Sequence, residues 1–286
     1  MQKTLLSIGH GYTAQALARR LHGAGWRIIG TTRSADKARD LAEDGIDARV
    51  WPGDDLGPAL AEATHLLSSV SPDADGDPVL SALGAAIAEA APGLEWAGYL
   101  STTGVYGDRG GGWVDETTPV APATERGYRR AEAEAAWRAI PGLPIHVFRL
   151  AGIYGPGRSA LDRLRAGTAR RIVKPGQVFS RIHVDDIAQV LAASMQRPAP
   201  GAVYNVCDDL PAPPQDVIEH AAELLGLPVP PAIPFEEAEL SPMAASFYSD
   251  SKRVRNDRIK EDLGVSLLHP DYRSGLRALL DAEHGD

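Results

Sequence analysis

The segment Gly9-His10-Gly11-Tyr12-Thr13-Ala14 constrains this chain more than any other. The apolar run Leu5 to Ile8 precedes it, and Ala14, Leu17, Ala18 and Leu21 follow at the spacing of one helix face. A strand that turns abruptly into a helix needs a residue without a Cβ at the corner, and Gly9 supplies it. Gly11 leaves bare backbone where the helix starts, and Ala14 is small enough for the helix to lie close on the strand. The amides of the first helical turn and the positive end of the helix dipole then face any approaching anion. Strand, G-x-G-x-x-A turn and amphipathic helix, in that order, predict a seat for a dinucleotide diphosphate formed by Gly9, Gly11, Tyr12, Thr13 and Ala14. His10 is expected to pack or to face solvent.

The same alternation continues downstream. Arg27 to Gly30, Ala48 to Trp51, His65 to Val70, Ala97 to Ser101, Ile145 to Leu150 and Ala202 to Val206 are short apolar runs. Between them lie helical patterns: Leu80, Leu83, Ala86, Ile87 and Ala90; the Ala-, Glu- and Arg-rich stretch Glu125 to Ile140; and Asp186 to Met195. This predicts an α/β fold built on a doubly wound parallel sheet of about seven strands. After Asp208 the texture changes: proline is dense from Pro211 to Pro242, strands stop, and short helices alternate with loops. The expected division is a dinucleotide-binding domain of residues 1–150 plus about 178–207, and a smaller substrate-binding lobe of residues 151–177 plus 208–286.

The tip of the second strand selects the cofactor. An NAD site places a carboxylate there to hold the ribose 2′-hydroxyl. Here the residues are Thr31-Thr32-Arg33-Ser34, without an acid, and Arg33 offers a planar fork suited to a 2′-phosphate, with Lys37 one helical turn on. NADP is the expected cofactor and NAD the alternative. Thr32, Arg33 and Ser34 would hold the 2′-phosphate ribose and Asp54 the adenine. Ser69, Val70 and Ser101, at the ends of the next strands, would flank the cofactor path.

Composition narrows the partners. With 29 basic and 38 acidic residues the net charge is −9, which argues against nucleic acid or an anionic membrane as a partner. A local arginine cluster inside an acidic protein can still hold a small anion. The single cysteine, Cys207, allows no disulfide within the chain and is expected to be a small buried residue. No apolar run approaches the roughly 18 residues a bilayer span requires. Met1 to Gly9 reads as a buried first strand, so the chain is expected to be cytoplasmic.

Four further segments carry a resemblance. Leu100-Ser101-Thr102-Thr103-Gly104-Val105-Tyr106-Gly107, Phe148-Arg149-Leu150-Ala151-Gly152-Ile153-Tyr154-Gly155-Pro156-Gly157-Arg158, Arg181-Ile182-His183-Val184-Asp185-Asp186-Ile187-Ala188 and Tyr204-Asn205-Val206-Cys207-Asp208-Asp209 follow the glycine turn in order. Together they resemble the extended and atypical short-chain dehydrogenase/reductases, the group of the NAD-dependent epimerases and dehydratases. The tail, Ser251-Lys252-Arg253-Val254 through His269-Pro270-Asp271-Tyr272-Arg273, is similar to an epimerase-like branch of it. The resemblance implies a Rossmann sheet with a C-terminal substrate lobe, and chemistry by a Ser/Thr with a Tyr-x-x-x-Lys pair.

Thr102 matches the hydroxyl position. The helical pair departs from the pattern: the tyrosine slot falls on Arg126 and the lysine slot on Arg130, and an arginine stays protonated at any ordinary pH. The other register uses Tyr128 as proton donor but puts Glu132 in the lysine slot. The expectation is therefore an NADP-dependent oxidoreductase or epimerase-like enzyme with Thr102, Tyr128, Arg126 and Arg130 as its catalytic set. Arg158 and Arg181 would hold a small polar, anionic or nucleotide-linked substrate, with no metal and with a homodimer as the expected assembly. The rival expectation is an NADP-binding regulator or sensor without turnover. His183 is expected to bond within the fold, without a His or Cys cluster beside it, and Asp185 and Asp186 to start a helix.

Overall fold

The computed structural model describes residues 2–284; Met1, Gly285 and Asp286 lie outside the described residues. The first half runs β1 (Thr4–Ile8), α1 (Tyr12–Leu21), β2 (Arg27–Thr32), α2 (Ala35–Glu43), β3 (Asp47–Val50), α3 (Gly57–Glu62), β4 (His65–Ser68), α4 (Pro78–Ala90) and β5 (Trp96–Thr102). Next come β6 (Trp113–Val114), α5 (Glu125–Arg138), β7 (Ile145–Leu150), β8 (Gly152–Tyr154), α6 (Ala160–Arg165), β9 (Arg171–Val173), β10 (Arg181–His183), α7 (Val184–Gln196) and β11 (Val203–Val206). The last stretch holds α8 (Pro214–Leu225), β12 (Ala232–Pro234), α9 (Pro242–Tyr248), β13 (Arg253–Val254), α10 (Asp257–Glu261) and α11 (Tyr272–His284).

Seven strands form one parallel sheet in the order β11-β7-β5-β4-β1-β2-β3. The order reverses at β1, and the crevice beside such a reversal is where α/β sheets bind ligands. Alternation along β1 explains the two layers around the sheet. Leu5 joins Leu17 of α1, Leu67, Trp96, Phe148 and, on α7, Ile187 and Leu191. Leu6 and Ile8 join Ile29, Leu66, Tyr99, Ile87 of α4 and Trp137 of α5. Each such side chain taken out of water contributes about 1.5–3 kcal/mol. A third cluster, Tyr154, Leu161, Val217, Ile218, Tyr272 and Leu276, joins α6, α8 and α11.

One reading of the C-terminal stretch needs correction. Strands do not stop at Asp208: β12 pairs with β9 and β13 with β6, both in parallel. Pieces two or three residues long carry no alternation to read. Among the described residues no helix is long and apolar enough to cross a membrane.

A buried polar chain fixes α5 against the sheet. Glu134 and Arg149 form an ion pair at 2.8 Å, both side chains about 5% exposed. Ser101 Oγ donates to the same carboxylate. Arg149 also donates to Tyr106 Oη at 2.9 Å, and Tyr106 donates to Asn205 Oδ1 at 2.7 Å. Removing one partner of such a pair strands a charge in the interior. Arg149→Ala is therefore expected to lose about 3–5 kcal/mol in urea unfolding, with Glu134→Gln in the same background regaining part of it.

Candidate functional site

The glycine turn is shaped by contacts from below. Gly9 has φ +80°, a region that favours glycine. Its N–H donates to Thr31 Oγ1 at 2.8 Å, and Ser69 Oγ donates to its carbonyl. A Cβ on Gly9 would stand 2.9 Å from Val70 Cγ2. Ser69 and Val70 thus brace the turn from beneath. Above it, a Cβ on Gly11 would meet only the Gly9 carbonyl, at 3.8 Å, so the protein leaves that space open. Gly11 offers α1 no side-chain cap, whereas Ser34, Thr124 and Ser159 cap α2, α5 and α6. An open cradle over the uncapped amides of Tyr12, Thr13 and Ala14 fits a diphosphate.

His10 turns inward. It is 4% exposed, and a Cβ on Gly30 would lie 2.8 Å from its ring. Burial pushes its pKa down to about 4, against a smaller opposing pull from Asp44. At the tip of β2, Thr32 Oγ1 accepts from Ser34 N–H, Ser34 Oγ accepts from Lys37 N–H, and Arg33 is exposed. Asp54 is tied into its own turn, with Oδ2 accepting from Val50 N–H at 2.7 Å. Ser101 is a correction to the expected cofactor set. Strand alternation turns it away from Thr102 and into the interior, where it is 5% exposed and committed to Glu134.

The C-terminal ends of the sheet open onto a cavity of about 1110 Å³, closed on the far side by α6, α8 and α9. Its walls include Ser71 and Thr102 from the sheet side, and Arg126, Arg130, Arg158, Arg163, Arg170 and Arg181. None of these six arginines forms a salt bridge with a carboxylate among the described residues, although buried Asp208 attracts Arg181 at longer range. The other basic residues of the wall are neutralised, Arg129 by Glu125 and Lys252 by Asp250. Burial lowers the pKa of Arg163 and of Arg181, so both cations stand in a recess that resists charge. A net negative protein has built a positive cleft.

Helix α5 decides which residues face that cleft. Thr124 caps it, accepting from Gly127 N–H at 3.1 Å, and Gly127 lies so close to the Gly104 carbonyl that a Cβ would be 3.1 Å away. Positions four apart share a face, so Arg126, Arg130 and Glu134 turn inward together. Arg130 donates to Leu100 O at 2.7 Å, Tyr99 Oη at 3.2 Å and Ser71 Oγ at 3.0 Å, which fixes its charge at the tips of β4 and β5. The guanidinium of Arg126 lies 5.3 Å from the centre of the Phe247 ring on α9. Tyr128 does not join them. It is 53% exposed and outside the cavity wall, because two residues beyond Arg126 is about 200° round the helix. The proton-donor expectation for Tyr128 is withdrawn on that geometry. Thr102 lines the cleft, and its Oγ1 accepts from Gly104 N–H at 3.1 Å, which leaves its O–H free to donate.

Sequence reasoning missed several neighbours. Arg163, Arg170, Phe247 and Tyr248 reach the cavity from a short helix, a strand start and α9, none of which carries a motif. His183 caps α7 through Nδ1, which accepts from Asp185 N–H at 3.2 Å, and its ring packs 4.1 Å from that of His269. The expectation that no cluster accompanies it fails: His183, Asp185 and His269 have ligand atoms within 4.8 Å of one another. Asp186 does more than start a helix. Fully buried, it accepts from Leu268 N–H and His269 N–H and moors the tail to α7.

Comparison with known proteins places this architecture. The sequence profile of the NAD-dependent epimerase/dehydratase family matches residues 79–207, which carry Thr102, α5 and the β7 and β10 segments. Across those residues the chain resembles the NAD-dependent epimerase/dehydratase family. A conserved, functionally unknown protein from Silicibacter pomeroyi is 62% identical and superposes with a TM-score of 0.95, over 98% of this chain and 99% of that one. Protein YeeZ of Escherichia coli strain K12 is 29% identical over 94% of this chain and 97% of its own length. The 3-diazoavenalumate denitrifying reductase of a Streptomyces species is 32% identical over 57% of this chain and 55% of its own. The seven-stranded parallel sheet matches the fold of solved epimerase/dehydratase structures.

The buried His10 ring gives a pH signature. Between its ordinary pKa of 6.5 and its folded value of about 4, the unfolded chain takes up a proton that the folded ring refuses, so stability falls as pH falls. The slope is about 1.4 kcal/mol per pH unit from this one group. Asp186 and Asp208, whose pKa values burial raises, change in the opposite sense, so the measurement compares variant with wild type. His10→Leu is expected to flatten the pH 4–6.5 stability profile by that slope, read from urea midpoints at half-unit steps.

Proposed function

We propose that this protein is an NADP(H)-dependent oxidoreductase acting on a small anionic substrate held in the arginine-lined cleft. The observation that carries the reading is the meeting of two features: an uncapped, open helix start fit for a diphosphate, and a cleft whose α5 wall carries Arg126 and Arg130. A bound nicotinamide would supply or accept the hydride. Arg33, exposed at the tip of β2 with no acid beside it, would hold the 2′-phosphate.

The chain's own groups would do the rest. Thr102 would donate its O–H to a substrate oxygen, polarised by the Gly104 amide already bonded to it. Arg130, whose bonds to Leu100, Tyr99 and Ser71 hold it without a counter-ion, would stabilise negative charge developing at that oxygen. Arg126 and Arg181 would grip the substrate anion. With a guanidinium in both α5 slots, charge stabilisation rather than proton shuttling by a phenol would dominate. A reductase among its relatives supports hydride chemistry in this branch.

A second reading, an NADP-binding sensor without turnover, is favoured by the absence of a phenol on the inward face of α5 among the described residues. Turnover separates the two. In a screen of small carboxylated and phosphorylated carbonyl compounds, the enzyme reading predicts steady NADPH oxidation, at least tenfold slower in kcat for Thr102→Ala. Arg33→Ala should raise KM for NADPH about tenfold and leave that for NADH unchanged. Dinucleotide binding with no oxidation across the screen would favour the sensor.

A further inference from the structure

The turn Gly155–Arg158 is folded onto the helix start that the diphosphate would occupy. It closes on itself, Gly155 N–H donating to Arg158 O at 3.4 Å and Arg158 N–H to Gly155 O at 3.0 Å. The Tyr12 hydroxyl, on the first residue of α1, donates to Pro156 O at 3.1 Å. A Cβ on Gly155 would fall 2.5 Å from Tyr12 Oη and 2.8 Å from Val184 Cγ1, so the turn sits this low only because the residue is glycine. The β8–β10 pairing, register Tyr154 to His183, holds the base of the turn.

Arg158 is the charge that this arrangement delivers. Its guanidinium carbon lies 5.8 Å from the centre of the Tyr12 ring, and the side chain is exposed on the cavity wall with no carboxylate partner among the described residues. The nearest acid in sequence, Asp162, is spent on the capping box of α6, bonded to Ser159 N–H and Oγ–H. A helix end offers about half a positive charge, less than a diphosphate carries. A guanidinium on the opposite side, forking two phosphate oxygens, would complete the neutralisation.

We propose that Arg158 clamps the diphosphate of the dinucleotide and does not hold the substrate, and that Gly155–Arg158 is a strap pinned by Tyr12. The inference rests on the dinucleotide reading above and adds a cofactor contact from outside the N-terminal glycine turn. It predicts that loss of Arg158 acts on every ligand with a diphosphate and spares ligands without one. Lysine keeps the charge but loses the fork, and Tyr12→Phe frees the strap while leaving the charge.

The test is calorimetric titration of wild type, Arg158→Ala, Arg158→Lys and Tyr12→Phe, each checked for folding by circular dichroism. The probes are NADPH, 2′-phospho-ADP-ribose and adenosine 2′,5′-bisphosphate, of which the last lacks the diphosphate. Arg158→Ala is expected to weaken the first two at least tenfold and the third less than twofold, with Arg158→Lys and Tyr12→Phe intermediate in the same pattern. Equal binding of the diphosphate probes by wild type and Arg158→Ala would overturn the clamp while leaving the dinucleotide reading standing. A uniform loss across all three probes would also overturn it, as a general field effect. Failure of wild type to bind any probe would instead remove the reading on which the clamp rests.

Discussion

Close approach of bare backbone at the start of α1 is the constraint from which the rest follows. Gly9 bends with φ +80° over Ser69 and Val70, and Gly11 gives the first amides of the helix no cap from the protein. Helix ends ordinarily satisfy those amides with a side chain, as Ser34, Thr124 and Ser159 do here. The α1 amides, like those of α3, α8 and α10, lack such a cap, and over the open Gly11 an anionic ligand would offset that cost. The sheet reversal at β1 then fixes which way that ligand extends, toward β4 and β5 and the cleft beyond.

At the other end of that path the physics is electrostatic. Six arginines without a salt bridge to a carboxylate among the described residues converge on one cavity of about 1110 Å³ in a chain of net charge −9. A concave wall of one sign focuses field and raises the local concentration of anions. The buried Glu134–Arg149 pair keeps that wall in register. It anchors the same face of α5 that presents Arg130 and Arg126, one and two turns away. Both α5 slots carry a guanidinium where the resemblance implies a phenol and an ammonium.

Much of the sheet was legible because parallel strands buried on both faces appear as unbroken apolar runs bounded by turns. Leu5 to Ile8, interrupted only by Ser7, is close to this kind, whereas Ile145 to Leu150 carries His146 and Arg149 among its apolar residues. The lobe was not legible in the same way: β12 and β13 span three and two residues and pair with strands far away in the chain. At the site, the family pattern put Thr102 and the Arg126 register on the cleft, but one-residue and two-residue offsets misled. Ser101 faces inward by strand alternation, and Tyr128 faces out by helical rotation. Arg163 and Phe247 are brought to the cavity by tertiary packing, for which no local periodicity exists.

Dinucleotide binding would begin at the open start of α1, so the most direct test is the complex itself. A crystal structure grown with NADPH should show the diphosphate on the amides of Tyr12 and Thr13, with the 2′-phosphate at Arg33 and the nicotinamide directed toward Thr102. Nucleotide density elsewhere on the surface, or an empty helix start at saturating NADPH, would contradict it.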